Sequence, residues 1–158
     1  MLTPDIIAKL AKELYDARKS RTQVRHFSKR FPEMTVEDGY AIQRAWVQLE
    51  LADGRTIKGR KIGLTSRAMQ QASQIDEPDF APLMDDMFFA QGSDIEARRV
   101  IAPRIEVELA FILGKPLKGP GATLFDVLAA TEYVSPAIEI IDSRIEQGIY
   151  RYFRGTRH

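Results

Sequence analysis

The 158-residue chain has no cysteine. That excludes disulfide bridges, thiolate catalysis and any cysteine-ligated zinc site, and it fits a reducing compartment such as the cytoplasm. Histidine is nearly as scarce. His26 and His158 are the only two, and they do not sit at any usual metal-ligand spacing, which turns attention away from zinc. Net charge is missing too: 23 Lys and Arg against 22 Asp and Glu leave +1, so bulk electrostatics point to neither nucleic acid nor a membrane surface. No apolar run approaches the ~20 residues of a transmembrane helix. The opening MLTPDIIAKLAKEL does not read as a signal peptide, because Asp5 and two lysines break it before an apolar stretch forms. There is no internal repeat and no low-complexity segment.

What is present is a globular composition, 44% hydrophobic and 28% charged, in a chain long enough for one domain with its own core. Thr3-Pro4-Asp5 reads as a helix start, with Thr3 as N-cap, Pro4 in the first turn and Asp5 favourable to the helix dipole. Ile6, Ile7, Leu10, Leu14 and Ala17 recur at helical spacing, which predicts a helix to about Arg18. A second helix is expected from Thr35, with Asp38 completing a capping-box pattern and Gly54 as the stop. Residues 55–64 read as a strand with glycines set into it. Thr65-Ser66 can cap a short helix, and residues 74–94 read as a long loop with a short strand near Met87–Ala90. Further strands are expected at about 104–113 and 136–142, with a short helix capped by Thr123 between them. Helices first and strands afterwards suggest an α+β fold.

Three constellations carry chemistry. In PRIEVELAF (103–111), Ile105, Val107, Leu109 and Phe111 would share one face of a strand and Glu106 and Glu108 the other, since side chains alternate with period two. The pattern looks like a buried strand, yet two adjacent carboxylates repel and are costly to bury unpaired. A third carboxylate, Glu139, interrupts the apolar strand PAIEIID (136–142). If the strands meet, three carboxylates suit a hard divalent cation, Mg²⁺ or Mn²⁺. The ordinary alternative is a solvated sheet face. The second constellation is KGRKIGLTS (58–66). Lys61 can pair with a carboxylate or move a proton, Gly63 permits close backbone approach, and the helix start at Thr65-Ser66 favours an anion. Its alternative is a surface cluster of Lys58, Arg60 and Lys61. The third is the acidic loop DEPDF (76–80), where Asp76, Glu77 and Asp79 are candidates for acid–base work or simply a solvated loop.

Taken together, KGRKIGLTS, DEPDF, LMDDMFF (83–89), PRIEVELAF and PAIEIID resemble, in order and almost without gaps from about Ile6 to about Gln147, the hydratase and decarboxylase branch of the fumarylacetoacetate hydrolase superfamily. The resemblance implies a mixed, β-rich core of that superfamily behind the N-terminal helices. It implies Mg²⁺ or Mn²⁺ held by Glu106, Glu108 and Glu139, with Lys61 and Asp79 lining the active site. The implied activity is addition of water to a 2-hydroxydienoate or its 2-oxo tautomer, 2-oxo-hept-4-ene-1,7-dioate first, in aromatic meta-cleavage catabolism. Hydration of 2-oxopent-4-enoate and decarboxylation of 4-oxalocrotonate are the sister activities, and an inactive remnant is the non-enzymatic alternative. The partner expected is a small 2-oxo or 2-hydroxydienoic acid, with no nucleic acid and no membrane, in a cytoplasmic homo-oligomer.

The resemblance ends near Gln147. Residues 1–147 are therefore expected to be the N-terminal part of a catalytic domain whose sheet is incomplete at the C-terminus. Residues 148–158, carrying Arg151, Arg154, Arg157 and His158 and no acid, read as a divergent basic tail, disordered and translated out of frame.

Overall fold

The computed structural model describes residues 1–146, so the basic tail expected at 148–158 lies outside the described residues. Helix α1 (Pro4–Ser20) begins where its signals are: the Thr3 hydroxyl accepts from the Ile6 N–H at 3.4 Å. Arg21 ends it in the left-handed conformation. Helix α2 (Phe27–Arg30) is a single turn. Helix α3 (Val36–Ala52) opens on a full capping box, with Thr35 accepting from the Asp38 N–H and the Asp38 carboxylate accepting from the Thr35 N–H. The same carboxylate takes the Leu2 N–H at 2.9 Å and so ties the chain start to α3. Gly54, at φ +84°, makes the turn out of the helix, a conformation that costs glycine little.

Strand β1 (Ile57–Gly63) pairs antiparallel with β2 (Asp79–Met84), and α4 (Arg67–Ser73) lies between them in sequence. Strand β3 (Pro103–Leu113) pairs antiparallel with β4 (Thr131–Asp142), and α5 (Leu124–Ala130) runs directly into β4. Helices with two small antiparallel sheets, among the described residues, make an α+β fold.

The chain divides into two compact units. The first comprises residues 1–101 and, within the described residues, 143–146; the second comprises 102–142. In the first unit α1 packs on α3. Its core joins Leu10 and Ala11 of α1, Phe27 of α2, Ile42, Trp46 and Val47 of α3, and Met84 of β2. Full burial of a side chain such as Leu10 contributes about 1.5–3 kcal/mol. Strand β2 is further held to α3 by Tyr40 stacked on Phe80 at 4.8 Å and by Gln43 donating to the Phe80 carbonyl. The chain returns to this unit after β4: Ile145 bridges Val24, and the Arg144 guanidinium lies 4.7 Å from the Trp46 ring centre.

A half-buried ion cluster also sits in the first unit. Arg18 donates to both oxygens of buried Glu50 at 3.1 Å and to Asp86, and Arg55 and Arg99 approach Asp86 at 3.8 and 3.9 Å. Burial disfavours the Arg18 charge, but the two carboxylates outweigh it and raise its pKa.

Two sequence expectations are corrected. The strand expected near Met87–Ala90 lies earlier, at Asp79–Met84; Met87 closes a short 3₁₀ turn instead. Pro82 concealed it, since proline lacks an N–H and is tolerated in a sheet mainly on edge strands. Strand β4 begins at Thr131 rather than Pro136, because α5 passes into it without a loop.

Candidate metal centre

The second unit contains the acidic centre. The register of β3 on β4 sets Glu106 directly opposite Glu139 and Glu108 opposite Ala137. Glu106 and Glu108 share a face by alternation, and Glu139 joins them on it as the cross-strand neighbour of one and the diagonal neighbour of the other. One carboxylate oxygen from each lies within 4.8 Å of the other two. Glu106 and Glu108 are exposed and Glu139 is half-buried. The neighbouring positions on this face are small on one side, with Ala137 beside Glu108 and then Ala110 opposite Ser135, and large on the other, where Arg104 stands opposite Ile141 beside the Glu106–Glu139 pair.

Like charges directly opposed on a sheet are destabilising, so the three acids repel one another, and a bound cation offsets that repulsion. Three carboxylates are hard, anionic oxygen donors, the set that Mg²⁺, Mn²⁺ and Ca²⁺ prefer. The residues present fit such an ion, and Glu106, Glu108 and Glu139 are the ones that would hold it.

Lys61 and Asp79 lie in the first unit. Lys61 is half-buried in β1, whereas Lys58 and Arg60 are exposed. Strand alternation thus splits the basic cluster that the sequence suggested, and Lys58 instead lies over the Phe88 ring at 4.8 Å. Asp79 is not a loop residue but the first residue of β2. Its Oδ1 accepts from the Gly63 N–H at 3.0 Å, across the registered pair Gly63 and Asp79. A Cβ at position 63 would stand 2.3 Å from that oxygen. The glycine in the K-x-G motif is thus required by the aspartate. The sequence singled out both segments but not this bond; the glycine inside a strand was its signal.

Asp76 and Glu77 are exposed. The Ser66 hydroxyl accepts from the Met69 N–H, so it takes up one of the helix-start donors that an anion would use. In LMDDMFF, Asp85 secures the chain ahead of β1. Its N–H donates to the Thr56 carbonyl at 2.9 Å, and its carboxylate accepts the Thr56 N–H, which holds its pKa below the usual range. Among the described residues no helix is long and apolar enough to cross a membrane.

Comparison with known proteins bears on this geometry. The chain is 62% identical over 135 residues to 2-oxo-hept-4-ene-1,7-dioate hydratase of Escherichia coli, a match covering 85% of this chain and 51% of that protein. It is 45% identical to 2-hydroxyhexa-2,4-dienoate hydratase of Comamonas testosteroni, over 84% of this chain and 51% of that one. Over these residues the chain belongs to the hydratase and decarboxylase branch of the fumarylacetoacetate hydrolase superfamily. A solved structure of 4-oxalocrotonate decarboxylase from Pseudomonas putida G7, complexed with magnesium and adipate, superposes with a TM-score of 0.88 at 34% identity. That match covers 94% of this chain and 57% of the decarboxylase. A second structure of the decarboxylase, with calcium and acetate, gives 0.86 at 35% identity, over 92% of this chain and 56% of that one. No protein-family profile matches the chain. The chain spans about half the length of the curated relatives it matches first.

Proposed function

We propose that this chain carries the metal-binding part of a hydratase that adds water to a 2-hydroxydienoate or its 2-oxo-enoate tautomer, with 2-oxo-hept-4-ene-1,7-dioate as the first substrate to test. The observation that carries it is the convergence of Glu106, Glu108 and Glu139 on one sheet face, in a chain 62% identical to a hydratase of that name. When bound, Mg²⁺ or Mn²⁺ supplies Lewis-acid stabilisation of negative charge on a substrate oxygen.

The chain's own residues divide the remaining work. The three glutamates would hold the ion through three anionic oxygens, with the small residues Ala110, Ala137 and Ser135 beside them on the same face. The family resemblance implies that Lys61 and Asp79 line the active site. Protonation of the dienol at its far carbon and addition of water at C4 give a 4-hydroxy-2-oxo acid, and either Lys61 or Asp79 moves the protons or orients the water. The enzyme assembles from copies of one chain and acts in the cytoplasm.

The test combines binding and turnover. Thermal unfolding with Mg²⁺ plus oxalate, which imitates the chelating end of a 2-oxo acid, is expected to shift upward relative to either alone. Loss of dienoate absorbance is expected to require the metal and to stop in Glu106→Gln. A metal-independent transition together with metal-independent turnover would overturn the proposal. Release of CO₂ from 4-oxalocrotonate without hydration would place the chain with the decarboxylases.

A further inference from the structure

Among the described residues, three other than glycine have a positive φ: Arg21 at +57°, Leu64 at +53° and Gln74 at +54°. Arg21 and Gln74 each end a helix, where a left-handed residue is usual. Leu64 ends none. It lies between β1 and the start of α4. The left-handed conformation is unfavourable for a residue with a Cβ, so the surroundings must hold it there.

What holds it is Gln70. Its side-chain amide donates to the Leu64 carbonyl at 2.7 Å, in a half-buried bond that reaches six residues back. The backbone of Gln70 is fixed on both sides. Its N–H donates to the Ser66 carbonyl at 3.0 Å, and its own carbonyl accepts from the Ile75 N–H at 3.0 Å. Helix α4 therefore draws none of these backbone bonds from the side chain, which leaves the helix and closes the turn before it.

That turn sits beside Lys61 and Asp79. Gly63, next to Leu64, donates its N–H to Asp79 Oδ1 at 3.0 Å. Gly63 is registered with Asp79 and Lys61 with Ala81, so Lys61 and Asp79 are diagonal neighbours across β1 and β2. A change of Leu64 to a negative φ would turn the end of β1 relative to α4, and the Gly63–Asp79 bond lies at that end. We infer that Gln70 is a positioning residue: its amide holds Leu64 in the left-handed turn, and the turn keeps Gly63 on Asp79 and sets the diagonal from Asp79 to Lys61. The consequence for catalysis rests on the proposed function; the consequence for the Gly63 bond does not.

The test compares the 158-residue chain with Gln70→Met, which keeps the length and helix propensity of the side chain and removes the donor. Solvent exchange of the Gly63 amide, read by NMR, is expected to quicken at least fivefold, with exchange in α1 and α3 unchanged. Adding Leu64→Asn to Gln70→Met is expected to bring it back to within twofold of the parent, because asparagine visits the left-handed conformation readily. Loss of packing around residue 70 would not be rescued in this way. With 2-oxo-hept-4-ene-1,7-dioate and Mg²⁺, Gln70→Met is expected to lower kcat about tenfold and to change KM less than twofold, and the double variant to recover most of kcat. Gln70→Glu, which keeps the shape and offers no donor when ionised, gives the same reading should Gln70→Met disturb α1 and α3. Parent-like exchange at Gly63 without the Gln70 donor overturns the inference. So does faster exchange that Leu64→Asn fails to restore, or faster exchange with kcat unaltered. A parent chain that turns over no dienoate counts against the proposed function alone, and the exchange measurements still decide the role of Gln70.

Discussion

Glu106→Gln should change the β3–β4 pair in opposite directions with and without metal. Without metal, the substitution removes one of three charges whose oxygens lie within 4.8 Å of one another, and so relieves two repulsive pairs. At that distance each pair is worth about 0.9 kcal/mol in water, and like charges opposed on a sheet are destabilising. The variant should be more stable by about 1–2 kcal/mol in EDTA. With metal the sign turns. An ion present at 100 times its Kd stabilises the native state by ~2.7 kcal/mol. If losing one of three anionic ligands weakens binding about a hundredfold, the variant gains only ~0.4 kcal/mol under the same conditions.

Amide exchange of peptides covering β3 and β4 reads both effects, since ~1.4 kcal/mol is a factor of ten in an opening equilibrium. In EDTA the variant should exchange about tenfold more slowly than the parent chain. Added Mg²⁺ should slow the parent about a hundredfold and the variant about twofold. Faster exchange of Glu106→Gln in EDTA would show that the carboxylate supports the strand pair instead. Equal protection of both chains by Mg²⁺ would refute its role as a ligand.

Removing Arg18 as Arg18→Met leaves Glu50 and Asp86 without their shared counter-ion; the expected loss is about 3–5 kcal/mol, read as a lower denaturant midpoint in Trp46 fluorescence. Gly63→Ala drives a Cβ into Asp79 Oδ1, so the bond from the Gly63 N–H breaks; a loss of about 1–3 kcal/mol should show as faster exchange in β1, with α1 and α3 unaffected. The Asp38 carboxyl is held below its ordinary value by the Leu2 N–H and then by the Thr35 N–H. Its folded pKa being depressed, the stability it contributes is present above the unfolded value of ~3.9 and is lost as pH falls through the folded value. Acid unfolding followed by Trp46 fluorescence should therefore depend less on pH in Asp38→Asn below about pH 4.

The side-chain capping signals were legible. Thr3, Thr35, Ser66 and Thr123 each accept the backbone N–H that their position in the sequence implied, because a cap is decided within four residues. The strand at Asp79–Met84 was not, since Pro82 argues locally against a strand and only pairing with β1 overrides it. The ion cluster of Arg18, Glu50 and Asp86 was equally hidden. Glu50 and Asp86 lie 32 and 68 residues from Arg18, and charged residues on helix faces read as solvated until the packing of α1 on α3 is known.

The acidic centre falls between these cases. That Glu106 and Glu108 share a face follows from period two alone. That Glu139 joins them depends on register, which no local pattern supplies. Setting Glu139 opposite Glu106 places all three on one face, whereas a slip of one residue would turn the β4 side chain to the other. What opposes such a slip is the apolar face behind the acids: Ile105 against Ile140, Val107 against Ile138 and Phe111 against Val134. A slip would put glutamates among those side chains and isoleucines among the carboxylates. The hydrophobic pattern that first looked like a core strand thus has a second consequence. It fixes the register that brings the three glutamates together.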